Sequence, residues 1–534
     1  MSATEFPKLP GLPVFVLLWL AYVGGLLLVY APALEGPFVS DDLHYVAANP
    51  FVHGLSFENV KTILAPYGPA TVAVVNYSPV QLLLHATVWE AFGPAVRAHH
   101  VLNLLFHALG SLLLLPLLVR SRVPLPMAIF ASVFFLLHPA NVEAVAWISQ
   151  LKTNASFALA IGAVLCHERR PGWGALLFAL ALGAKPNAAV ALPLAFWLEF
   201  VRSGRVRAPW LAIWVALFAA FAVIEFTAHQ RAGAAQATLY DTPLVLLRTV
   251  AGLAVRYVLL GYTSFWTSAF HEPDPAASWS DPWWLASIPV LGLLGVRFVS
   301  TLRARKEEAG YWLVALVSFG PVSQLFPFLY PFADRYLYFI LPGLLGGTLL
   351  AVGELFARVP ADQRQAWVRS AAAFAALLCI GFGFQSYERA RIWRSPALIL
   401  ADAASNYPNG VSARLTRART AAQLGDVETS VAELRGAVDR GYNRFEQLMT
   451  DPAFDPIRGA SAFRGLLREI AGSWVEAGAA WEDPTQGELR KLASAHAVRG
   501  ERDEAVALLR RAASLEGPHL DAIRSDLRKL GAAP

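Results

Sequence analysis

Charge and cysteine are both scarce in this chain of 534 residues. Only 16% of the residues are charged, 56% are hydrophobic and the mean hydropathy is +0.45, which excludes an ordinary soluble globular protein. The two cysteines, Cys166 and Cys379, lie far apart inside apolar runs and lack metal-ligand spacing, so the sequence indicates neither a disulfide framework nor a zinc site. The first apolar run, 13–34, lacks a small-residue cleavage site and is too long for a signal-peptide core, so we expect a retained span.

The chain instead contains many long apolar runs. Runs of about 17 to 25 residues, the length that crosses a bilayer core of roughly 30 Å, recur as far as Gln385, and charge density rises after that point. The pattern predicts an all-α polytopic membrane protein, with a transmembrane domain over 1–386 and a helical domain over 387–534. Eleven spans are predicted, at 13–34, 97–119, 124–138, 151–166, 172–186, 187–203, 209–227, 283–300, 311–329, 335–353 and 367–385.

The positions of arginine and lysine orient these spans. Basic residues concentrate on the cytoplasmic side of membrane proteins. Eleven crossings with the N-terminus inside place five clusters on that side: Arg120 and Arg122; Arg169 and Arg170; Arg202, Arg205 and Arg207; Arg303, Arg305 and Lys306; Arg358 and Arg364. The segment 244–262 is apolar enough to cross, but a twelfth span would move the cluster around Arg303 outside, so we expect it to be re-entrant or interfacial. The outer loop 35–80 and the C-terminal domain then share the outer side, which is the periplasm if the membrane is a bacterial inner membrane.

The C-terminal domain contains two similar amphipathic stretches, 420–442 and 494–518. They align with Gly425 against Gly500 at the turns, and with small or apolar residues where paired helices touch. This pattern resembles tetratricopeptide repeats, whose period is about 34 residues, with a degenerate repeat between the two stretches. Such arrays bind peptides or proteins on a concave face. The alternative is a helical cap that only stabilises the membrane domain.

Two neighbouring carboxylates, Asp41 and Asp42, follow the first span in the sequence FVSDDLHY. By themselves they suit a solvated loop that starts the next helix, because Ser-Asp-Asp is good N-capping sequence. The stretch LLHPANVEAVAWISQLKTNA adds His138, Glu143 and Lys152 between two apolar runs, where ionisable groups are costly unless they pair or line a watery cavity. The structural alternative is that His138 ends a span and Glu143 pairs with Lys152.

Further polar groups are expected at the same membrane face. His100, Asn103 and His107 share one stripe of a helix, and we expect them to make interhelical hydrogen bonds rather than to bind metal. Lys185 lies at a break between two short helices, and Arg335 begins a span. Cations at such sites suit a phosphate, and the alternative for each is snorkelling at the interface.

Two carboxylates and several cations on one face are the groups that transfer of a sugar from a lipid phosphate requires. One carboxylate takes the proton of an acceptor hydroxyl as general base, which contributes about 10² to 10⁴ in rate. Lys or Arg stabilises the departing phosphate. A nucleotide sugar is expected on the cytoplasmic side, whereas a lipid-linked donor is available outside. The first loop has SDDL and no DxD motif, so a metal requirement is not supported, although a divalent cation stays possible.

Several motifs, taken in order, resemble a known family. The stretches FVSDDLHYVAANPFV, HHVLNLLFHALGSLLL, FFLLHPANVEAVAWISQLK, GAKPNAAVALPL, PFADRYLYFILPG and RARIWRSPALILADAASNYPNG are similar to those of the transmembrane and tetratricopeptide-repeat protein O-mannosyltransferases and their bacterial relatives. The resemblance covers nearly the whole chain. It implies the membrane-embedded C-type glycosyltransferase fold (GT-C), a polyprenyl-phosphate sugar donor, and inversion at the anomeric carbon in one displacement.

The resemblance also implies roles for individual residues. The catalytic group comprises Asp41 as the base, Asp42 as a neighbour that orients acceptor or donor, and Glu143 as an assisting group. The donor phosphate is expected near Lys152, Lys185, Arg335 and His138, and substrate positioning is expected from His100, Asn103 and Tyr336. The sequence departs from the family where Ala184 and Pro186 flank Lys185, where ADRY replaces AERY, and in its short repeat array.

Three functions stay open at this stage. The first is transfer of a sugar, with mannose as the leading candidate, to Ser or Thr of a protein that the repeats bind. The second is a transferase of the same fold that modifies a lipid or polysaccharide, and the third is a membrane-anchored scaffold without activity. A transporter is disfavoured, because the ionisable residues concentrate at one face and the spans show no clear internal repeat. No nucleic-acid partner is expected.

Overall fold

The computed structural model of this protein describes residues 11–231, 240, 242–325, 331–481, 483–515 and 519–533. Helices provide the regular structure of these residues, apart from one isolated β-bridge between His271 and Phe332. The prediction of an all-α polytopic membrane protein is therefore confirmed.

The apolar part of the chain runs from the first helix to the long helix that precedes the charged region. Its helices are α1 Leu12–Val29, α2 Phe57–Leu64, α3 Pro69–Val74, α4 Pro79–Phe92, α5 Val96–Arg120, α6 Leu125–Leu136, α7 Val142–Ala146, α8 Leu151–His167, α9 Pro171–Ala184, α10 Ala191–Ser203, α11 Ala208–Arg231, α12 Pro243–Thr263, α13 Pro282–Arg303, α14 Glu308–Phe319, α15 Leu337–Phe356 and α16 Ala361–Ile392. One turn of π-helix, Leu43–Ala47, follows the acidic pair.

Each of the eleven predicted spans overlaps a helix, but the helices differ in length, and α14 covers only the first half of the predicted span 311–329. By length and hydropathy, α1, α5, α11, α12, α13, α15 and α16 are each long and apolar enough to cross a bilayer. An eighth span results if α6 and Pro139–Ala146, which meet at a bend of 45°, are counted together. Since α8, α9, α10 and α14 have only 12 to 17 residues, eleven full-length spans are not confirmed. The end of the predicted span 311–329, residues 326–329, lies outside the described residues.

The predicted basic clusters meet at one end of the bundle, which we call the basic end. Arg202 and the carbonyl of Arg120 are hydrogen-bonded there, and Arg169 is close enough to act on the charge of Arg120. The ion pairs of this end are Arg202 with Glu168 and Glu307, Arg207 with Glu199, and Glu354 with Arg297, Lys306 and Arg358. The clusters therefore share one side, as the charge pattern predicts, while the compartment that this side faces stays a prediction.

Several contacts of α12 lie at the end of the bundle opposite the basic end, and its last turn also reaches the middle of α15 through the hydroxyl of Tyr262. Near its start, Arg248 donates to the carbonyl of Ala276. Arg256 lies over the ring of Trp283 at the start of α13, and Trp266, just after α12 ends, packs edge-on against the same ring. By length and hydropathy α12 is a candidate span, so the re-entrant or interfacial interpretation of this segment stays a prediction.

Close packing of α14 on α15 depends on glycine. A Cβ atom placed on Gly346 would fall 2.1 Å from Cδ1 of Tyr311, and one on Gly347 would fall 2.5 Å from Cε2 of Trp312. Small residues let helices approach closely where apolar side chains alone provide little driving force in a membrane. The two large aromatic side chains of α14 therefore lie directly against the backbone of α15.

The C-terminal helices begin at Pro396, because α16 continues unbroken through the predicted domain boundary at residue 386. They are α17 Pro396–Asn406, α18 Val411–Gln423, α19 Val427–Val438, α20 Phe445–Thr450, α21 Ser461–Gly478, α22 Gln486–Arg499, α23 Arg502–Ala513 and α24 Leu520–Lys529. The turns between α18 and α19 and between α22 and α23 have Gly425 at φ 75° and Gly500 at φ 89°. The two aligned stretches thus form equivalent helical hairpins, and their classification as tetratricopeptide repeats stays a prediction.

Segment 264–281, between α12 and α13, fixes the C-terminal helices to the membrane part, and we call it the clamp segment. The carboxylate of Asp402 on α17 accepts the backbone N–H of Ala269 and pairs with Arg389 of α16. His271 is hydrogen-bonded to the hydroxyl of Tyr407 through Nδ1, at 2.9 Å. The clamp segment therefore connects α16, α17 and the end of the bundle opposite the basic end.

Candidate active site

Asp42 anchors the outer loop to the turn that precedes α8. Its side chain is buried, and its two carboxylate oxygens accept the backbone N–H groups of Val39 at 2.9 Å and of Ser149 at 2.7 Å. Burial raises the pKa of this carboxyl from 3.8 to about 7, although the two N–H groups act in the opposite direction. No side-chain cap of the following turn is formed, so the helix-cap interpretation is wrong for Asp42.

Asp41 has the opposite surroundings. Its side chain is partly exposed, and its nearest polar contact is a long hydrogen bond of 3.5 Å from the hydroxyl of Ser40. Ser40 has a positive φ of 50°, an uncommon conformation for a residue other than glycine that turns the chain sharply before the pair. Within the described residues the Asp41 carboxylate takes part in no ion pair. It is therefore the carboxylate of the pair that a substrate can reach.

Three asparagine side chains hold the turn that carries Glu143 and Trp147. Asn103 on α5 donates to the carbonyls of Val145 and Trp147, at 3.1 and 2.8 Å. Asn141 and Asn154 donate to the carbonyls of Phe135 and Ala144, both at 2.8 Å. Since all three side chains are buried, they supply hydrogen bonds inside the bundle to carbonyls at the breaks around the short helix α7. The predicted interhelical role of Asn103 is thus to position the turn.

Glu143 pairs with Arg335 and not with Lys152. The backbone N–H of Arg335 donates to Oε2 of Glu143 at 2.7 Å, and its guanidinium Nη1 donates to Oε1. The guanidinium also lies over the rings of Trp147 and Tyr336, and donates to the Tyr336 hydroxyl at 3.3 Å. Arg335 is buried and paired, so interfacial snorkelling does not describe it.

Two lysines complete the polar cluster. Nζ of Lys152 donates to the hydroxyl of Tyr45 at 2.9 Å, and Nζ of Lys185 donates to the hydroxyl of Thr153 at 2.9 Å. Lys152, Arg335 and Glu143 are all close enough to act on the charge of Lys185. Both amino groups are hydrogen-bonded to hydroxyls rather than to carboxylates, and a pair of lysines with such partners suits an anionic ligand.

Two of the predicted histidines belong to the scaffold. Nδ1 of His138 accepts the backbone N–H of Ala140 at 3.2 Å, and Nε2 is hydrogen-bonded to the carbonyl of Gly261 at 3.2 Å. Both ring nitrogens of His138 are thus engaged within the protein, and its place near the donor phosphate stays a prediction. His100 is buried and is hydrogen-bonded to the carbonyl of Gly36 at 3.4 Å, so it contacts the outer loop, and its role in substrate positioning stays a prediction.

Several residues of the site have no signal in the sequence. Ser149 contributes its backbone N–H, which every residue except proline has, and Tyr45 lies in a loop without periodicity. His271 in the clamp segment is hydrogen-bonded at 2.6 Å to Asp334, the residue that precedes Arg335. Trp393, from the RARIWRSP motif, stacks on Trp147 with ring centroids 5.8 Å apart. That motif was part of the resemblance, but its contact with the site depends on packing.

The arrangement provides a partly exposed carboxylate, two lysines hydrogen-bonded to hydroxyls and a buried ion pair at one end of a membrane bundle. Such a set can accept a proton from a hydroxyl and can hold a phosphate. Within the described residues, no group of three or more His, Cys, Asp or Glu side chains is placed to hold a metal ion. Fold and site together define a multi-span, all-α membrane protein with a polar site near one membrane face.

Comparison with known proteins adds one similarity. The chain is 23% identical over 454 residues to Protein O-mannosyl-transferase F38B6.6 of Caenorhabditis elegans. The alignment covers 80% of this chain and 61% of that protein, so this chain spans about three fifths of the relative's length. No family model matches the chain. The similarity supports the resemblance that the motifs indicate.

Proposed function

We propose that this protein is a membrane glycosyltransferase that moves a sugar from a polyprenyl-phosphate donor to an acceptor hydroxyl. One observation carries the proposal: the accessible Asp41 carboxylate and two lysines with neutral partners, Lys152 and Lys185, lie at the same end of the bundle. The similarity to a protein named as an O-mannosyl-transferase supports this class of reaction. Mannose is accordingly the first donor sugar to test.

The proposed step is a single displacement. The Asp41 carboxylate takes the proton of the acceptor hydroxyl, and the hydroxyl oxygen forms a bond to the anomeric carbon from the face opposite the phosphate. The bond between that carbon and the phosphate oxygen breaks, so the configuration inverts and polyprenyl phosphate leaves with the bonding electron pair. Lys152 and Lys185 stabilise the charge that develops on this phosphate. Protons and charge balance without a further reactant.

Arg335 has a different role in this proposal. Oε1 of Glu143 accepts from the guanidinium of Arg335, and Oε2 accepts from its backbone N–H. The charge of Arg335 is therefore already paired with a carboxylate, whereas Lys152 and Lys185 are hydrogen-bonded to hydroxyls. Removing one partner of a buried pair leaves an uncompensated charge and costs about 3 to 5 kcal/mol. The Glu143–Arg335 pair therefore maintains the site, and it joins α7 to the start of α15.

The acceptor and the sidedness belong to the same proposal. The clamp segment fixes the C-terminal helices near Asp334, at the end of the bundle that contains the site. A domain in this position can present a segment of a protein, which favours Ser or Thr as the acceptor over a lipid or polysaccharide. By the positive-inside rule we expect this end to face outside, which is the periplasm if the membrane is a bacterial inner membrane.

The test is transfer of labelled sugar in membranes that contain the protein. Polyprenyl-phosphate mannose is the first donor, with other polyprenyl-phosphate sugars beside it, and release to water is counted together with transfer to protein. We expect Asp41→Asn to reduce transfer by about 10² or more, because the general base is lost. Glu58→Gln, an exposed carboxyl of the same outer loop, should leave transfer unchanged.

Either of two results contradicts the proposal. No turnover by the wild type with any polyprenyl-phosphate sugar would favour the membrane-anchored scaffold. Equal activity of the wild type and Asp41→Asn would exclude Asp41 as the base.

A further inference from the structure

The outer loop and the start of α8 are joined by two parallel contacts. Asp42 and Tyr45 are three residues apart, and they contact Ser149 and Lys152, which are also three residues apart. The turn of π-helix, Leu43–Ala47, provides this spacing, and π-turns are rare and frequent at functional sites. The acidic pair directly precedes this turn, so one short stretch of the outer loop contains both the pair and a contact to a lysine.

The hydroxyl of Tyr45 has all its hydrogen-bonding capacity engaged. It accepts from Nζ of Lys152 at 2.9 Å and from Nδ2 of Asn76 at 2.7 Å, and it donates to the carbonyl of Val74 at 3.1 Å. A phenol oxygen offers two lone pairs and one proton, so these three contacts saturate it. The ring adds a cation–π contact, with Nζ of Lys152 4.4 Å from its centroid. Tyr45 itself is buried, which fixes the position of the hydroxyl.

The backbone between Val74 and Asn76, the two residues that supply the other contacts, is strained. Val75, between Val74 and Asn76, has a φ of 59°, which is a genuine outlier for a β-branched residue. Such conformations cost about 1 to 3 kcal/mol and persist where the surrounding structure determines them. Here the strain turns the carbonyl of Val74 and the amide of Asn76 toward the same hydroxyl. Asn76 also donates to the carbonyl of Val74, at 2.8 Å.

We propose that Tyr45 is a positioning residue that holds the ammonium of Lys152 for the donor phosphate, with Asn76 holding the Tyr45 hydroxyl. The inference rests on the proposed function. It adds that one loop positions both Asp41, the base, and Lys152, a ligand of the phosphate. Asp41 is next to Asp42, which contacts Ser149, and Tyr45 contacts Lys152. The distance between the Asp41 carboxylate and the leaving phosphate then depends on this short segment.

A double-mutant cycle tests this coupling through binding of polyprenyl monophosphate, which requires no transfer. The variants are Tyr45→Phe, Lys152→Met and the double variant, measured in the full-length protein. Loss of one hydrogen bond is worth about 1 kcal/mol, so Tyr45→Phe should weaken binding about fivefold. If Tyr45 acts through Lys152, the same substitution should change binding less than twofold when Lys152 is already methionine.

Tyr77→Phe is the matched control. It removes a hydroxyl that donates to the carbonyl of Leu64 at 3.0 Å, in the same loop but away from the lysine, and binding should stay within twofold of the wild type. Asn76→Ala should weaken binding in the same direction as Tyr45→Phe. Thermal unfolding of each variant shows whether the fold is retained.

The outcomes separate the two proposals. The positioning role is overturned if Tyr45→Phe binds with wild-type affinity, or if it loses the same affinity with and without Lys152. In either case, transfer activity by the wild type would leave the proposed function intact. Binding without transfer by the wild type overturns the proposed function, while the cycle still decides the role of Tyr45. If the wild type does not bind polyprenyl monophosphate, both proposals are wrong.

Discussion

At the scale of the residue, Asp41 and Asp42 show how neighbours in sequence acquire different chemistry. Asp42 is buried and gives both oxygens to backbone N–H groups, so it orients the loop rather than the acceptor or donor. Asp41 is partly exposed and has no comparable partner among the described residues. Two side chains of the same type therefore differ in role: Asp42 anchors the loop, and Asp41 is the candidate base.

The raised pKa of Asp42 predicts a dependence of stability on pH. The pKa is about 7 in the folded protein against 3.8 ordinarily, so the folded state binds this proton more tightly. The stability contributed by this group is present below about pH 4 and is lost as the pH rises to about 7. The unfolding midpoint of the wild type should fall across this range, by on the order of a few degrees.

Two variants check the assignment of this slope. Asp42→Asn, which stays neutral, should unfold at a lower temperature overall because its amide faces an N–H donor, but with a flatter dependence on pH. Asp41→Asn should keep the wild-type slope. Parallel curves for the wild type and Asp42→Asn would assign the titration to another group.

At the scale of the element, α14 and α15 pack closely because the glycines at their contact have no side chains. On α15, Gly343, Gly346 and Gly347 face α14 so closely that an added Cβ would lie within 2.6 Å of its atoms. Gly353, on the same helix, has no atom within 4 Å of such a position. The contact is thus specific to one stripe of α15.

Substitution at these glycines tests the packing. Gly346→Ala should destabilise the protein by about 1 to 3 kcal/mol, because the new methyl group overlaps the ring of Tyr311. Gly353→Ala is the matched control, and it should be neutral or slightly stabilising since alanine has the higher helix propensity. Thermal unfolding in detergent compares them, and equal midpoints would contradict the observed packing.

At the scale of the whole molecule, the clamp segment couples the C-terminal helices to the site. Asp402 accepts the N–H of Ala269, His271 links Tyr407 to Asp334, and Asp274 pairs with Arg440. Asp334 directly precedes Arg335, whose guanidinium pairs with Glu143. A displacement of the C-terminal helices would therefore act on the site through a continuous set of contacts.

Hydrogen exchange measures this coupling. Asp402→Ala removes the acceptor of the Ala269 N–H and the partner of Arg389, so we expect amides of the clamp segment near Ala269 to exchange at least about tenfold faster. Asp439→Asn, an exposed carboxyl of the same domain, should leave this exchange unchanged. Protection equal to the wild type in Asp402→Ala would show that other contacts hold the segment.

Hydropathy and periodicity are local properties, and they determined where the helices lie and which class of protein this is. They also placed Asp41, Glu143, Lys152, Lys185 and Arg335 at the ends of apolar runs, because an ionisable group is costly inside a bilayer. The partners of these groups depend on how helices pack, and packing joins residues that are far apart in the chain. Glu143 meets Arg335 across 192 residues, and Asp42 meets Ser149 across 107. Tertiary structure alone therefore decided that Glu143 pairs with Arg335, that Asp42 is an anchor, and that Tyr45 holds a lysine.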